Sequence, residues 1–197
     1  HHPADTFSIQ RIKDYLQYCA ETLGLTENTL HSRMNALKFY YEQVLKREKF
    51  FWDVPRPRKG TQLPKVLSKE EMIRLIKAIE NVKHKTMIML GYACGLRVSE
   101  ITGLELKDVD EDRMLLLIRK AKGKKDRVVS LSPVMLIMIR EYTSKYKPEK
   151  YLFEGQYKKT PYSVRSLEAI IKAAKTKAGI SKTGSMHMLR HSFATHL

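Results

Sequence analysis

Three stretches of this sequence carry side chains suited to handling an anion. The first is Cys94-Gly95-Leu96-Arg97-Val98-Ser99-Glu100, where a glycine turn sets Arg97 at the start of a short helix. There a guanidinium and free backbone N–H groups can face an anion together. Alone, an Arg-x-x-Glu pair is more often an ion pair across one helical turn. The second is Arg119-Lys120-Ala121-Lys122-Gly123-Lys124-Lys125-Asp126-Arg127, nine residues of which six are basic and one acidic. A hairpin tip of this kind is narrow enough to enter a DNA groove, and its lysines can meet phosphates and base edges. The same composition also suits a solvated turn. The third runs from Met186 to Leu197, where His187, Arg190 and His191 stand three and four positions apart. A helix places such residues on one face, imidazole beside guanidinium, with Leu189, Phe193 and Leu197 facing inward. An isolated His-x-x-Arg is common and more often decorative than catalytic.

These side chains need elements to position them, and the apolar pattern supplies a mainly α chain with a small β-sheet. Ile9, Ile12, Leu16, Cys19 and Leu23 recur at helical spacing, and Gly24 ends the run. Thr26 suits an N-cap for a second helix through Leu30, Met34, Leu37, Tyr41 and Val44 to about Arg47. Two helices leave much apolar surface uncovered, so this module is expected to be partial or to pack on something else. Three prolines and three basic residues between Pro55 and Pro64 suit an extended linker that lies along a phosphate backbone. Ser68 with Glu71 forms a capping box before the next helix. Further helices are expected over roughly Thr86 to Cys94, Val98 to Leu104, from Ser132-Pro133 through Tyr142 or beyond, Ser163 to Ala178, and from near His187. Between them, Met114 to Ile118 and Val128 to Leu131 read as two strands flanking the lysine-rich loop, and Tyr151 to Phe153 as a short strand or turn. The expected organisation is a helical module over 1–54, a basic linker over 55–65 and a second unit over 66–197.

With 37 Lys and Arg against 21 Asp and Glu, the formal charge is +16. A globular chain so basic usually meets a polyanion, most commonly nucleic acid. No apolar run approaches the length of a membrane span, and no lipidation signal argues for a membrane surface. Cys19 and Cys94 each sit inside an apolar helical pattern without zinc-type spacing, so both read as reduced core residues of a cytosolic protein.

Taken in order, the three stretches resemble the tyrosine recombinase family of phage integrases and Xer-like site-specific recombinases. Tyr92 to Glu100 looks like the family's first signature box, and His187 to Leu197 is similar to the second along nearly its whole length. The lysine-rich hairpin falls between them, where the family keeps its catalytic lysine. The resemblance covers the chain from about Ser68 to its end. It implies a DNA breaking-rejoining catalytic domain, preceded by part of a helical, SAM-like core-binding domain.

The implied reaction is site-specific recombination or integration of double-stranded DNA. A tyrosine attacks a phosphodiester, giving a 3′-phosphotyrosyl link and a free 5′-hydroxyl, with no cofactor, ATP or required metal. By this resemblance Arg97 and Arg190 clamp the non-bridging oxygens, Lys122 protonates the departing 5′-oxygen, and His187 binds the phosphate or helps accept the tyrosine proton. Glu100 orients Arg97. Arg56, Arg58, Lys59, Lys120, Lys124, Lys125 and Arg127 are the expected DNA contacts. The glycine after Lys122 lets the tip turn sharply enough for that side chain to fold back, with Lys124 as runner-up. The family's last histidine or tryptophan and its tyrosine fall beyond the second box. Tyr142, Tyr146, Tyr151, Tyr157 and Tyr162 all precede that box, so none takes the nucleophile's place. The 197 residues are therefore expected to lack the nucleophile and to assemble as a homotetramer on DNA only at full length. Two other readings share these residues: a type IB topoisomerase, and a DNA-binding module or regulator without catalysis.

Overall fold

Helix starts follow caps that are legible in the chain. In the computed structural model, which describes residues 6–47, 65–119 and 126–197, Ser8 Oγ accepts from Arg11 N–H at the head of α1 (Ile9–Glu21). Thr26 is the N-cap residue of α2 (Glu27–Lys38), but its hydroxyl meets Thr29 Oγ1 instead of a backbone N–H. The second helix does not continue as α to Arg47: its hydrogen bonds shift to π spacing over Phe39–Val44. That shift rotates the apolar stripe, so Tyr41 is buried while Phe39 and Val44 are exposed. Of the expected apolar stripe only Ile12 and Cys19 are buried; Ile9 is exposed, and Leu23, which lies beyond the end of α1, is exposed too. Ile12, Met34 and Tyr41 form the core here. The chain divides into two compact units, His1–Gln62 and Leu63–Leu197.

The second unit opens with a reciprocal cap. Ser68 Oγ accepts from Glu71 N–H at 3.1 Å, and the Glu71 carboxylate accepts from Ser68 N–H at 2.7 Å, which starts α3 (Lys69–Lys77). The next helix, α4 (Val82–Ala93), begins four residues before the apolar run because Asn81 caps it and Thr86 returns its hydroxyl to Val82 O. It is the central helix, packed by α6 (Pro133–Tyr146), α7 (Val164–Lys177) and α8 (Met186–His196) as well as by short α5 (Val98–Gly103). Being covered on several sides, it is apolar nearly all round. Leu75, Met87, Ile88, Leu90, Leu96 and Ile101 are buried at the centre. Each such side chain contributes about 1.5–3 kcal/mol of transfer free energy.

The sheet has three antiparallel strands in the order β1 (Val109–Asp110), β2 (Leu115–Ile118), β3 (Arg127–Ser130). The two-residue β1 is too short for an apolar period to reveal. The hairpin register pairs Leu115 with Ser130 and Ile118 with Arg127, so Arg127 forms the last described rung before the basic loop. Ser132 caps α6 with Pro133 in its first turn, and Ser163 caps α7. Tyr151 forms a single bridge with Glu105. Cys19 and Cys94 are buried and free. No described helix is long and apolar enough to cross a membrane.

Candidate active site

The first signature box is a turn between α4 and α5. Gly95 takes a left-handed backbone, φ 59°, and Leu96 behind it is fully buried, so the chain reverses and delivers Arg97 as the N-cap residue of α5. Three positions on, the Glu100 carboxylate accepts from the Arg97 backbone N–H at 2.8 Å and from Arg97 Nη1 at 2.8 Å. A second guanidinium arrives from β3: Arg127 Nη1 meets Oε1 at 2.7 Å and Nη2 meets Oε2 at 2.8 Å, a bidentate fork. The Glu100 side chain is only 7% exposed. Burial by itself pushes this carboxyl up, but the hydrogen bonds from Arg127 and from the backbone and side chain of Arg97 outweigh it and hold the pKa at about 2.

The second box reaches the same turn from α8. Arg190 donates through Nη1 to the Gly95 carbonyl. Burial lowers the Arg190 pKa, and the positive charge of Arg97 lowers it further while Glu100 raises it, so Arg97, Arg190 and Glu100 share one electrostatic neighbourhood. The approach of α8 to the turn is close: a Cβ on Gly95 would lie 2.7 Å from Phe193 Cδ1, and one on Gly91 would lie 2.6 Å from Met186 Cε. Two further links join α8 to the rest. Tyr92 O–H and His196 Nδ1 are 2.9 Å apart, and the buried Ser192 Oγ accepts from Leu67 N–H at 2.9 Å while donating to Met188 O. His187 lies one turn before Arg190 and is exposed, as is His191. Phe193 is half-buried, under Gly95.

Of the expected hairpin residues, Lys120, Lys122, Lys124 and Lys125 lie outside the described residues, as do Arg56, Arg58 and Lys59 of the linker. The two arginines that bound the basic stretch are described, and both are engaged by carboxylates. Arg119 Nε meets Asp108 Oδ1 at 2.5 Å, with Asp108 only 3% exposed, and Arg127 holds Glu100. The partnership of Arg127 with Glu100 is absent from the sequence reading, which placed Arg127 among the DNA contacts. A signal for it exists in the strand period, since Arg127 and Val129 share the half-buried face of β3 while Val128 and Ser130 are exposed.

Three guanidiniums around one carboxylate leave a surplus of positive charge in a half-buried setting. The donor set is chemically suited to an oxyanion, since guanidiniums offer forked, fixed donors. Among the described residues no group of His, Cys, Asp and Glu is placed to hold a metal ion.

The sequence pattern of the phage integrase family matches residues 65–197. The chain belongs to the phage integrase family. This places it among the tyrosine recombinases, with relatives of the same kind. A Sinorhizobium fredii relative carrying the integrase/recombinase name is 33% identical over 194 residues, covering 98% of this chain and 63% of the relative. Tyrosine recombinase XerA of Pyrococcus horikoshii is 32% identical over 191 residues, covering 94% of this chain and 66% of XerA. The chain thus spans just under two thirds of the length of these curated relatives. A crystal structure of XerA recombinase superposes with a TM-score of 0.63 at 25% identity, over 99% of this chain and 70% of that one. A lambda integrase dimer bound to a COC′ core site gives a TM-score of 0.78 at 14% identity, over 98% and 71% of the two chains, and so shows the same fold for this family member.

Proposed function

We propose that this chain supplies the phosphate-binding apparatus of a site-specific DNA recombinase that cuts and rejoins double-stranded DNA through a 3′-phosphotyrosyl intermediate. The observation that carries this reading is the meeting of two separated boxes at one turn: Arg97 held by Glu100, and Arg190 held by the Gly95 carbonyl. In this reading Arg97 and Arg190 bind the non-bridging oxygens of the scissile phosphate and stabilise the charge that grows there as the bond breaks. Lys122 gives a proton to the departing 5′-oxygen, and His187 hydrogen-bonds the phosphate or takes the tyrosine proton. The family pattern sets the attacking tyrosine downstream of the second box. Lys120, Lys124 and Lys125, with Arg56, Arg58 and Lys59, contact the duplex. Glu100 keeps Arg97 aimed, and assembly as a homotetramer on paired sites brings two duplexes together. We place the protein in the cytoplasm, where two buried, unpaired cysteines are at home. No cofactor enters the scheme.

A nicked suicide duplex read on a denaturing gel tests the reading. The 197-residue chain by itself binds the duplex and forms no covalent adduct, whereas a chain continuing through the downstream tyrosine forms one. An adduct from the 197 residues alone would make one of their own tyrosines the nucleophile and overturn the assignment of the second box.

A further inference from the structure

The Glu100 carboxylate is saturated. Its two oxygens offer about four acceptor positions. Oε1 takes Arg127 Nη1 and Arg97 Nη1, and Oε2 takes Arg127 Nη2 and the Arg97 backbone N–H. Two of the four donors therefore come from Arg127. The Arg97 side chain gives Glu100 a single N–H, and among the described residues no hydrogen-bond partner takes the rest of its guanidinium.

We infer that Arg127 is a positioning residue for the arginine clamp, acting through Glu100 instead of through contact with DNA. The inference rests on the phosphate-binding reading given above. Without the Arg127 fork, Glu100 would hold two empty acceptor positions and an unshared negative charge against Arg97. A largely buried carboxylate in that state pulls a neighbouring guanidinium into a bidentate pair, because a buried acceptor left without a partner is expensive. Arg97 would then face Glu100 with the edge it needs for the phosphate. Arg127 prevents this by occupying the carboxylate.

The same contact fixes the hairpin. Arg127 pairs with Ile118 in the last described rung, and the residue after Ile118, Arg119, is bound to the buried Asp108. Both ends of the basic loop are thus pinned to the body of the domain, one of them directly on the carboxylate that aims Arg97. A lysine working from the loop shares its anchor with the clamp it must serve.

Inorganic phosphate, titrated into the 197-residue chain while the Nε–Hε resonances of Arg97 and Arg190 are followed by NMR, tests this. In the wild type both resonances shift and saturate. Arg127→Gln weakens phosphate binding about tenfold, as expected for losing a hydrogen bond to a charged group. Arg127→Lys falls with it, because an ammonium keeps the charge but cannot supply the fork. In a Glu100→Gln background, Arg127→Gln brings no further loss, since there is no longer a charge to occupy. Wild-type affinity in Arg127→Lys, or an equal loss from Arg127→Gln in both backgrounds, would mean that Arg127 acts by its own charge or contact and would overturn the inference. Thermal melts accompany each variant. If Arg127→Gln does not fold, Arg127→Lys with and without Glu100→Gln carries the same comparison. A wild-type chain whose Arg97 resonance ignores phosphate, or an Arg97→Ala variant with undiminished affinity, would instead refute the phosphate-binding reading itself, and the role of Arg127 with it.

Discussion

Arg190 donates a hydrogen bond to the backbone carbonyl of Gly95, joining the two signature boxes through a main-chain atom. The carbonyl faces Arg190 only because Gly95 is left-handed, and the helix carrying Arg190 comes near enough only because Gly95 has no Cβ to meet Phe193. Backbone conformation, helix packing and the electrostatics of the clamp therefore meet at one glycine.

Replacing that glycine is expected to be severe. In Gly95→Ala the new methyl carbon lies 2.7 Å from Phe193 Cδ1 on a backbone that L residues rarely adopt. Strain and overpacking each cost about 1–3 kcal/mol, so chemical denaturation should show a loss of that order or more. Phosphate affinity should fall as well, because relaxing either conflict moves α8 or rotates the carbonyl away from Arg190.

Acid should weaken the domain through Glu100. Its folded pKa of about 2 lies below the ordinary 4.5, so the folded state binds fewer protons in between. The stabilisation is fully present above the ordinary value and is lost as pH falls from about 4.5 toward 2. Unfolding free energies measured across that window should decline more steeply for the wild type than for Glu100→Gln, which has no carboxyl to titrate. Equal slopes would mean that Glu100 is not held by its arginines in solution.

Ser192→Ala should destabilise the second unit by about 1–3 kcal/mol, the penalty for a buried donor left without a partner. Ser192 Oγ is the acceptor for Leu67 N–H, and alanine offers none. A lower denaturant midpoint with an unchanged slope would show lost stability without a change in compactness. An unchanged midpoint would require another acceptor to have reached Leu67.

Duplex DNA binding should fall steeply with salt, since the chain carries a formal charge of +16 and binding releases counterions. Removing one phosphate contact should lower the slope of log K against log salt by about 1. Arg97→Ala and Arg190→Ala are expected to show this in anisotropy titrations. An affinity that does not change between low and physiological salt would exclude the reading of this surface as a phosphate-binding one.

Local order determined most of what the sequence by itself could determine. Ser68 with Glu71, Ser132 with Pro133 and the short apolar runs Met114 to Ile118 and Val128 to Leu131 each act over a few residues, so helix starts and the hairpin follow from neighbours in the chain. The two boxes were legible for the same reason, as were Arg97 and Glu100, which lie one turn apart and meet within α5. The π turn over Phe39–Val44 was not, because local preference there favours a continued α-helix, and neither was β1, whose two residues show no period. Only the tertiary structure showed which carboxylate the Arg127 fork meets. Its charge and its place in a lysine-rich run suggest a DNA contact, whereas the hairpin register carries its fork to Glu100 on another element. It likewise decided that the Gly95 carbonyl serves Arg190 and that Ser192 serves Leu67. A residue type and its spacing state what a side chain can bond, and the partner far along the chain is chosen by how the helices and strands pack.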